Sequence, residues 1–431
     1  MNPTNFKAMA ALAAVLMLLS CQQEDDFASA PQPVPPAAED YTLTEDEAVA
    51  IAEGAVIGLK GGKTRVAASG QALTVKTIER VPECTRAGGE PGAFFYVVNF
   101  NEGGYAVVPA DERATDVYAL SDEGSFDPDA HNGVRLFMDM AENYLQYEIS
   151  ISDSIRTSGL DLPDGGWTKF PTDPDDPRLY IVVEFGGQLC HQVVKETKSE
   201  PFYLLDTQWG QDAPYNNECF TKDGDEAKAG CVPVALGQIM AYHKQPQSYK
   251  GHTYFWDRMP KKFDVYDGSD EAYSVSYLIN DIGKAVSIKY GISGSSASST
   301  KCPWALTIFG YSSSGYKDYN VTGVIESLQS ARPVYMSGRE EGASEGHAWV
   351  ADGYYYYRKD YTYYTVEKLE KVGERSEIDY YLHMNWGWDG KGENSNNGYY
   401  KSEVFNPIYS KYLQYTFSER LKMVTNIRYT K

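Results

Sequence analysis

The sequence predicts an α+β protein of two or three domains, in which capped helical stretches alternate with β-patterned segments along 431 residues. Three observations carry that prediction. Thr44-Glu45-Asp46-Glu47 is a capping box that opens an amphipathic helix from Glu45 to about Gly58. The runs Ala93–Phe100 and Tyr105–Pro109 flank Asn101-Glu102-Gly103-Gly104, which is the pattern of a β-hairpin. Further on, a glycine turn at Gly230 runs straight into the apolar helix Cys231-Val232-Pro233-Val234-Ala235-Leu236-Gly237-Gln238-Ile239-Met240.

In chain order, the first element is a targeting segment. Lys7 precedes an apolar run from Ala8 to Leu19, too short for a permanent membrane span but suited to a secretory leader. Leu18-Leu19-Ser20-Cys21 resembles the bacterial lipobox, which implies a lipid on Cys21 as the new N-terminus. Residues 1–20 are thus expected to be a signal peptide and residues 21–39 a lipidated cysteine with an acidic, Ala/Pro-rich tether. The expected product is an exported lipoprotein on the outer membrane or cell surface, with release after processing; plain cleavage and secretion is the alternative.

The capped helix and the hairpin come next. A helical stretch from Leu136 to Ile149, a Pro/Asp-rich break from Asp161 to Pro177, a strand from Leu179 to Phe185 and a polar stretch from Lys195 to Glu200 complete an α+β first region. The whole sequence holds 35 tyrosines, clustered in its C-terminal half and interleaved with Gly, Ser and Asn as in twisted β structure with polar turns. The formal charge of −21 and the lack of Lys/Arg runs exclude a nucleic-acid partner. Apart from Cys21 the cysteines are Cys84, Cys190, Cys219, Cys231 and Cys302, an odd set without a CxxC pair, and there is no HExxH. At least one thiol is therefore free, and neither a metal nor another cofactor is expected.

Four motifs carry chemistry. Cys231 lies at a helix N-terminus, where unpaired N–H groups and the helix dipole favour thiolate; a buried structural cysteine is the alternative for this pair taken alone. His347 lies in the strand pattern Gly346-His347-Ala348-Trp349-Val350, with a glycine that permits close approach of another chain. His191, His243, His252 and His383 have no comparable setting, and His131 falls in an Asp-rich loop. Asn385-Trp386-Gly387-Trp388 offers an amide to orient an imidazole and an indole to shield it. Gln211, twenty residues before the cysteine, offers an amide donor for an oxyanion.

The order Gln211, Gly230-Cys231, Gly346-His347-Ala348 and Asn385-Trp386-Gly387-Trp388-Asp389-Gly390 resembles the streptopain family of papain-like cysteine peptidases, from about Leu204 to Asn406. Tyr290-Gly291-Ile292-Ser293-Gly294-Ser295-Ser296-Ala297 is similar to that family's segment between nucleophile and histidine. The resemblance implies a papain-like two-lobed fold at 201–431, with a helical lobe and a β-rich lobe, preceded by an α+β propeptide at 40–200. It implies Cys231 as nucleophile, His347 as general base and acid, Gln211 in the oxyanion hole, Asn385 orienting the imidazole and Trp386 shielding it. The reverse assignment of the last two stays open. An active pair requires the Cys231 and His347 side chains within about 3–4 Å.

The implied partners are protein or peptide substrates and the chain's own propeptide, which blocks the cleft or displaces His347. Lys195–Glu200 is expected to be exposed and to hold the processing site. Tyr354–Tyr381 is longer than the family pattern and reads as an extended hairpin. Two other readings are a peptidoglycan-type cysteine amidase and a non-catalytic surface-binding lipoprotein.

Overall fold

Thr44 caps α1 (Glu45–Gly61) as its sequence requires. The Glu47 carboxylate accepts from the Thr44 N–H at 2.9 Å and hydroxyl at 2.7 Å, and the Glu47 N–H donates back to Oγ1 at 3.3 Å. The computed structural model describes residues 41–61, 73–81, 95–157, 181–185, 188–339, 346–365, 368, 370–388, 396–405 and 421–431. The leader, Cys21, the tether, Cys84 and the Asp161–Pro177 break lie outside them. Among the described residues, no helix is long and apolar enough to cross a membrane.

The predicted hairpin forms from β2 (Phe95–Phe100) and β3 (Tyr105–Pro109), with β1 (Val75–Val81) on one side and β4 (Ala119–Ser121) on the other. This meander does not end at an open edge. Ala119 and Leu120 pair antiparallel with Tyr400 and Tyr399 of β15 (Gly398–Lys401). The sheet then continues through β14 (Lys371–Asn385), β13 (His347–Thr365), β12 (Val334–Gly338), β16 (Lys422–Val424) and β11 (Tyr316–Asp318). One sheet thus joins the first region to the region bearing His347. Elsewhere β8 (Ser248–Tyr249) pairs with β9 (His252–Thr253), and β10 (Tyr311–Ser312) with β17 (Arg428–Tyr429).

Three cores hold these layers. α3 (Cys231–His243) packs with α4 (Asp270–Ala285) and α5 (Cys302–Ile308), burying Leu236, Ile239, Ile279, Ile282 and Leu306 completely. α2 (Asn132–Thr157) begins four residues before the predicted stretch and ends eight after it. Its Phe137, Ala141 and Leu145, spaced i, i+4, i+8, sit in one core with Trp349, Met384, Trp386 and Tyr400. That core also takes Val324 and Leu328 of α6 (Val321–Gln329). Each fully buried side chain of this size stabilises the docked arrangement by about 2 kcal/mol. In the third core, Ala52 and Val56 of α1 and Val98 and Val108 of the meander meet Tyr355, Tyr381 and Tyr399.

The Tyr354–Tyr381 stretch does form a long hairpin, β13 against β14, and its tyrosines thereby receive the first region. Lys195–Glu200 is largely exposed, as expected, with Lys195, Glu196, Thr197 and Glu200 open to water, but most of it lies in a strand. Lys195–Lys198 belong to β6 (Gln188–Lys198), which pairs with β5 (Ile181–Phe185) and, over nine residue pairs, with Tyr357–Thr365 of β13. The ladder carries on through the Ser199 N–H to the Tyr356 carbonyl at 3.0 Å, and into β7 (Phe202–Tyr203) against Gly353 and Tyr354. A polar strand can show water its side chains while its backbone pairs with a neighbour, and composition alone does not separate that case from a loop.

Candidate active site

α3 starts at Gly230 because nothing larger fits. Its φ is +88°, and a Cβ there would lie 2.7 Å from the Ile288 side chain. No side chain caps the helix, so its first N–H groups are left for Cys231. The backbone N–H groups of Ala348, the residue after His347 on β13, and of Val232 lie near enough to the thiol to favour its thiolate. Burial outweighs these donors and pushes the thiol up, so the thiolate bias expected from the helix N-terminus is not realised in this form. Cys219, Cys231 and Cys302 are free thiols.

The His347 imidazole is 5% exposed, and its Nε2–H donates to the Trp386 backbone carbonyl at 2.8 Å. Burial lowers its pKa to about 4. Among the described residues no hydrogen bond or ion pair joins it to Cys231. Both groups are neutral at pH 7.

Among the described residues no hydrogen bond joins Asn385 to this histidine. The Asn385 Oδ1 accepts from Gln238 Nε2 at 3.0 Å and from the Gly387 N–H at 3.2 Å, and its Nδ2 donates to the Thr207 carbonyl at 2.7 Å. The acceptor on the imidazole is thus the Trp386 main chain rather than the expected side-chain amide. A peptide is planar, so fixing the Gly387 N–H also fixes the direction of the Trp386 C=O. Gln211 is 8% exposed, and its backbone carbonyl accepts from the N–H of Ala229, two residues before Cys231, at 2.9 Å. Its side-chain amide makes no hydrogen bond among the described residues.

Two other histidines, His383 and His252, are engaged elsewhere. His383 bonds Asp352 at 2.7 Å and stacks on Tyr203, and His252 bonds Asp281 at 2.8 Å. His131 is the exception. Its Nδ1 and carbonyl accept from the Val134 N–H and start α2, while its ring lies 5.2 Å from that of His347 and stacks on Trp388 at 5.1 Å. Two residues on, a Cβ at Gly133 would fall 2.4 Å from His347 Cδ2 and 2.8 Å from Trp386 Cε3. The N-terminus of α2 therefore lies directly on the imidazole.

Residues 209–400 match the Peptidase C10 family, and residues 40–145 match the Spi protease inhibitor family. The chain carries a streptopain-like Peptidase C10 domain. It is 24% identical to streptopain of Streptococcus pyogenes over 355 residues, covering 74% of this chain and 77% of that one. It is 25% identical over 354 residues to the thiol protease/hemagglutinin PrtT of Porphyromonas gingivalis, covering 73% of this chain and 34% of that one. Prevotella intermedia prointerpain A aligns with 82% of this chain and 100% of its own, at 22% identity and a TM-score of 0.48. Active interpain A aligns with 52% and 93%, at 26% identity and a TM-score of 0.38. The protein is thus a cysteine peptidase made as a zymogen, with an inhibitor-type propeptide domain. A streptopain-family domain leaves neither an amidase nor a binding module as the reading of this region.

Acid is expected to release the streptopain-type propeptide. Docking keeps His347 at about 4 against an ordinary 6.5, so its contribution is complete above about pH 6.5 and is lost as pH falls toward 4. That contribution is roughly 3 kcal/mol. His131, also lowered by burial and by the neighbouring His347 and Arg135, acts in the same direction. The precursor should mature about tenfold faster at pH 5 than at pH 7.5, with a flatter profile in His131→Phe. Conversion followed by gel electrophoresis checks this, and equal rates at both pH values would contradict it.

Sequence reasoning did not single out Gly133, His131 or Gln238, and it took Trp388 only as part of the Asn385–Trp388 motif. Only Gln238 carried a signal, as a polar residue two turns after Cys231 in an otherwise apolar helix.

Proposed function

We propose that Cys231 is the nucleophile and His347 its general base and acid in an exported endopeptidase. The nearness of the Ala348 N–H to the thiol supports this reading, because it puts Cys231 beside the peptide that follows His347. Once α2 withdraws, water re-enters and the two groups can form a thiolate–imidazolium pair. The thiolate attacks a peptide carbonyl, and the Gln211 amide with the Cys231 N–H receives the oxyanion. His347 then protonates the leaving amine, and water attacks the thioester with His347 as base. The Trp386 carbonyl orients the imidazole, and Asn385 acts on it only through the Gly387 N–H.

Residues 40–200 are assigned to the propeptide and residues 201–431 to the peptidase. A cut within Lys195–Glu200 then requires β6 to peel from β13 first. The leader pattern from Lys7 to Leu19 supports export, and Ser20-Cys21 supports a lipid anchor at Cys21. If Cys21→Ala leaves the protein in the membrane fraction, the anchor assignment fails.

Cys231→Ala tests the mechanism. The variant precursor should fold, stay unprocessed and show no hydrolysis of a protein substrate under reducing conditions, while the wild-type chain matures and cuts. Residual proteolysis by a pure Cys231→Ala protein would assign the chemistry elsewhere.

A further inference from the structure

We infer that Asn397 is a positioning residue for the histidine, acting through the backbone of Trp386. This rests on the Cys231–His347 reading and deepens it. Trp386 is held at three points besides His347. Its N–H donates to Asn397 Oδ1 at 3.0 Å, its indole Nε1–H donates to the Tyr400 hydroxyl at 3.0 Å, and the next N–H, of Gly387, donates to Asn385 Oδ1. The carbonyl that receives His347 Nε2–H therefore sits between two amide clamps, one from each side of the residue. Asn397 is 8% exposed and precedes β15, so its side chain is set by the strand rather than by solvent.

Without the Asn397 oxygen, the buried Trp386 N–H has no acceptor, and the backbone must turn to find one. Turning it swings the carbonyl away from Nε2 and leaves the imidazole free to rotate about its side-chain bonds. A displacement of about 1 Å at a catalytic group lowers turnover by up to about a hundredfold.

The propeptide grips the same two residues. The Tyr105 hydroxyl donates to the carbonyls of Asn396 and Asn397 at 3.0 and 3.3 Å, and the Asp127 N–H donates to Asn396 Oδ1 at 2.8 Å. The segment that aims the histidine is thus held in the precursor by residues that leave on activation.

The test uses full-length chains matured in trans by a trace of wild-type enzyme. In Asn397→Ala, kcat should fall about 10- to 100-fold with KM within about twofold. Alkylation of Cys231 by iodoacetamide between pH 5 and 6, the signature of an ion-paired thiolate, should disappear. Asn397→Asp, which keeps an oxygen acceptor, should recover both within about threefold. Wild-type kcat together with wild-type low-pH alkylation in Asn397→Ala would overturn the proposal. Hydrogen exchange at the Trp386 amide of matured wild-type enzyme is independent of any variant's folding: slow exchange supports the clamp, and exchange as fast as an exposed loop overturns it. Should matured wild-type enzyme itself show no alkylation at low pH, the Cys–His pair is what fails.

Discussion

A precursor carrying Gly133→Leu is expected to lose its latency. The two atoms nearest a Cβ at this position, His347 Cδ2 at 2.4 Å and Trp386 Cε3 at 2.8 Å, belong to buried rings that cannot fold away as a flexible chain end would. Forcing a side chain into such a contact costs typically 1–3 kcal/mol, and the larger leucine must lift the start of α2 off the imidazole. The uncleaved Gly133→Leu chain should therefore hydrolyse a short fluorogenic peptide about 10- to 100-fold faster than the uncleaved wild-type precursor. The matured enzymes should be indistinguishable, because Gly133 has left with the propeptide. A folded Gly133→Leu precursor as silent as wild type would show that inhibition does not depend on this contact.

Gln211→Ala should lower kcat by about 10²- to 10³-fold with little change in KM. The Gln211 backbone is fixed by the Ala229 N–H, and its amide has no competing hydrogen bond among the described residues, so its donor is available when charge develops on the substrate oxygen. Substrate binding uses that donor far less than the transition state does, which is why the loss falls on kcat. Steady-state kinetics of the matured variant decide it. A raised KM at constant kcat would make Gln211 a binding residue instead.

Local signals made much of the fold legible, because each belongs to a short stretch that forms its structure alone. The Thr44–Glu47 box, the Gly103-Gly104 turn and the apolar helix after Gly230 are of this kind, and all three are in place. What stayed hidden depends on partners far away in sequence. β6 is a strand because β13 offers it nine residue pairs, and β4 continues the sheet because β15 lies open to it. His131 and His347 are 216 positions apart, and only the α2 packing brings the two rings together.

The site shows the same division. Residue types that act through side chains, such as Cys231, could be read from their motifs. The Trp386 carbonyl could not, since every residue carries one and nothing in the letters marks which carbonyl faces His347. Asn385 was assigned to the imidazole because side-chain amides are visible in a sequence, whereas its bonds run to Gln238, Thr207 and Gly387.

The central claim is that the docked propeptide holds His347 neutral and apart from the thiol, and that its removal lets the pair form. Histidine-labelled NMR titration of His347 in the Cys231-intact precursor and in the matured enzyme tests this directly. The account predicts a pKa near 4 in the precursor and one at or above the ordinary 6.5 after the propeptide has gone. The same value in both forms would contradict it.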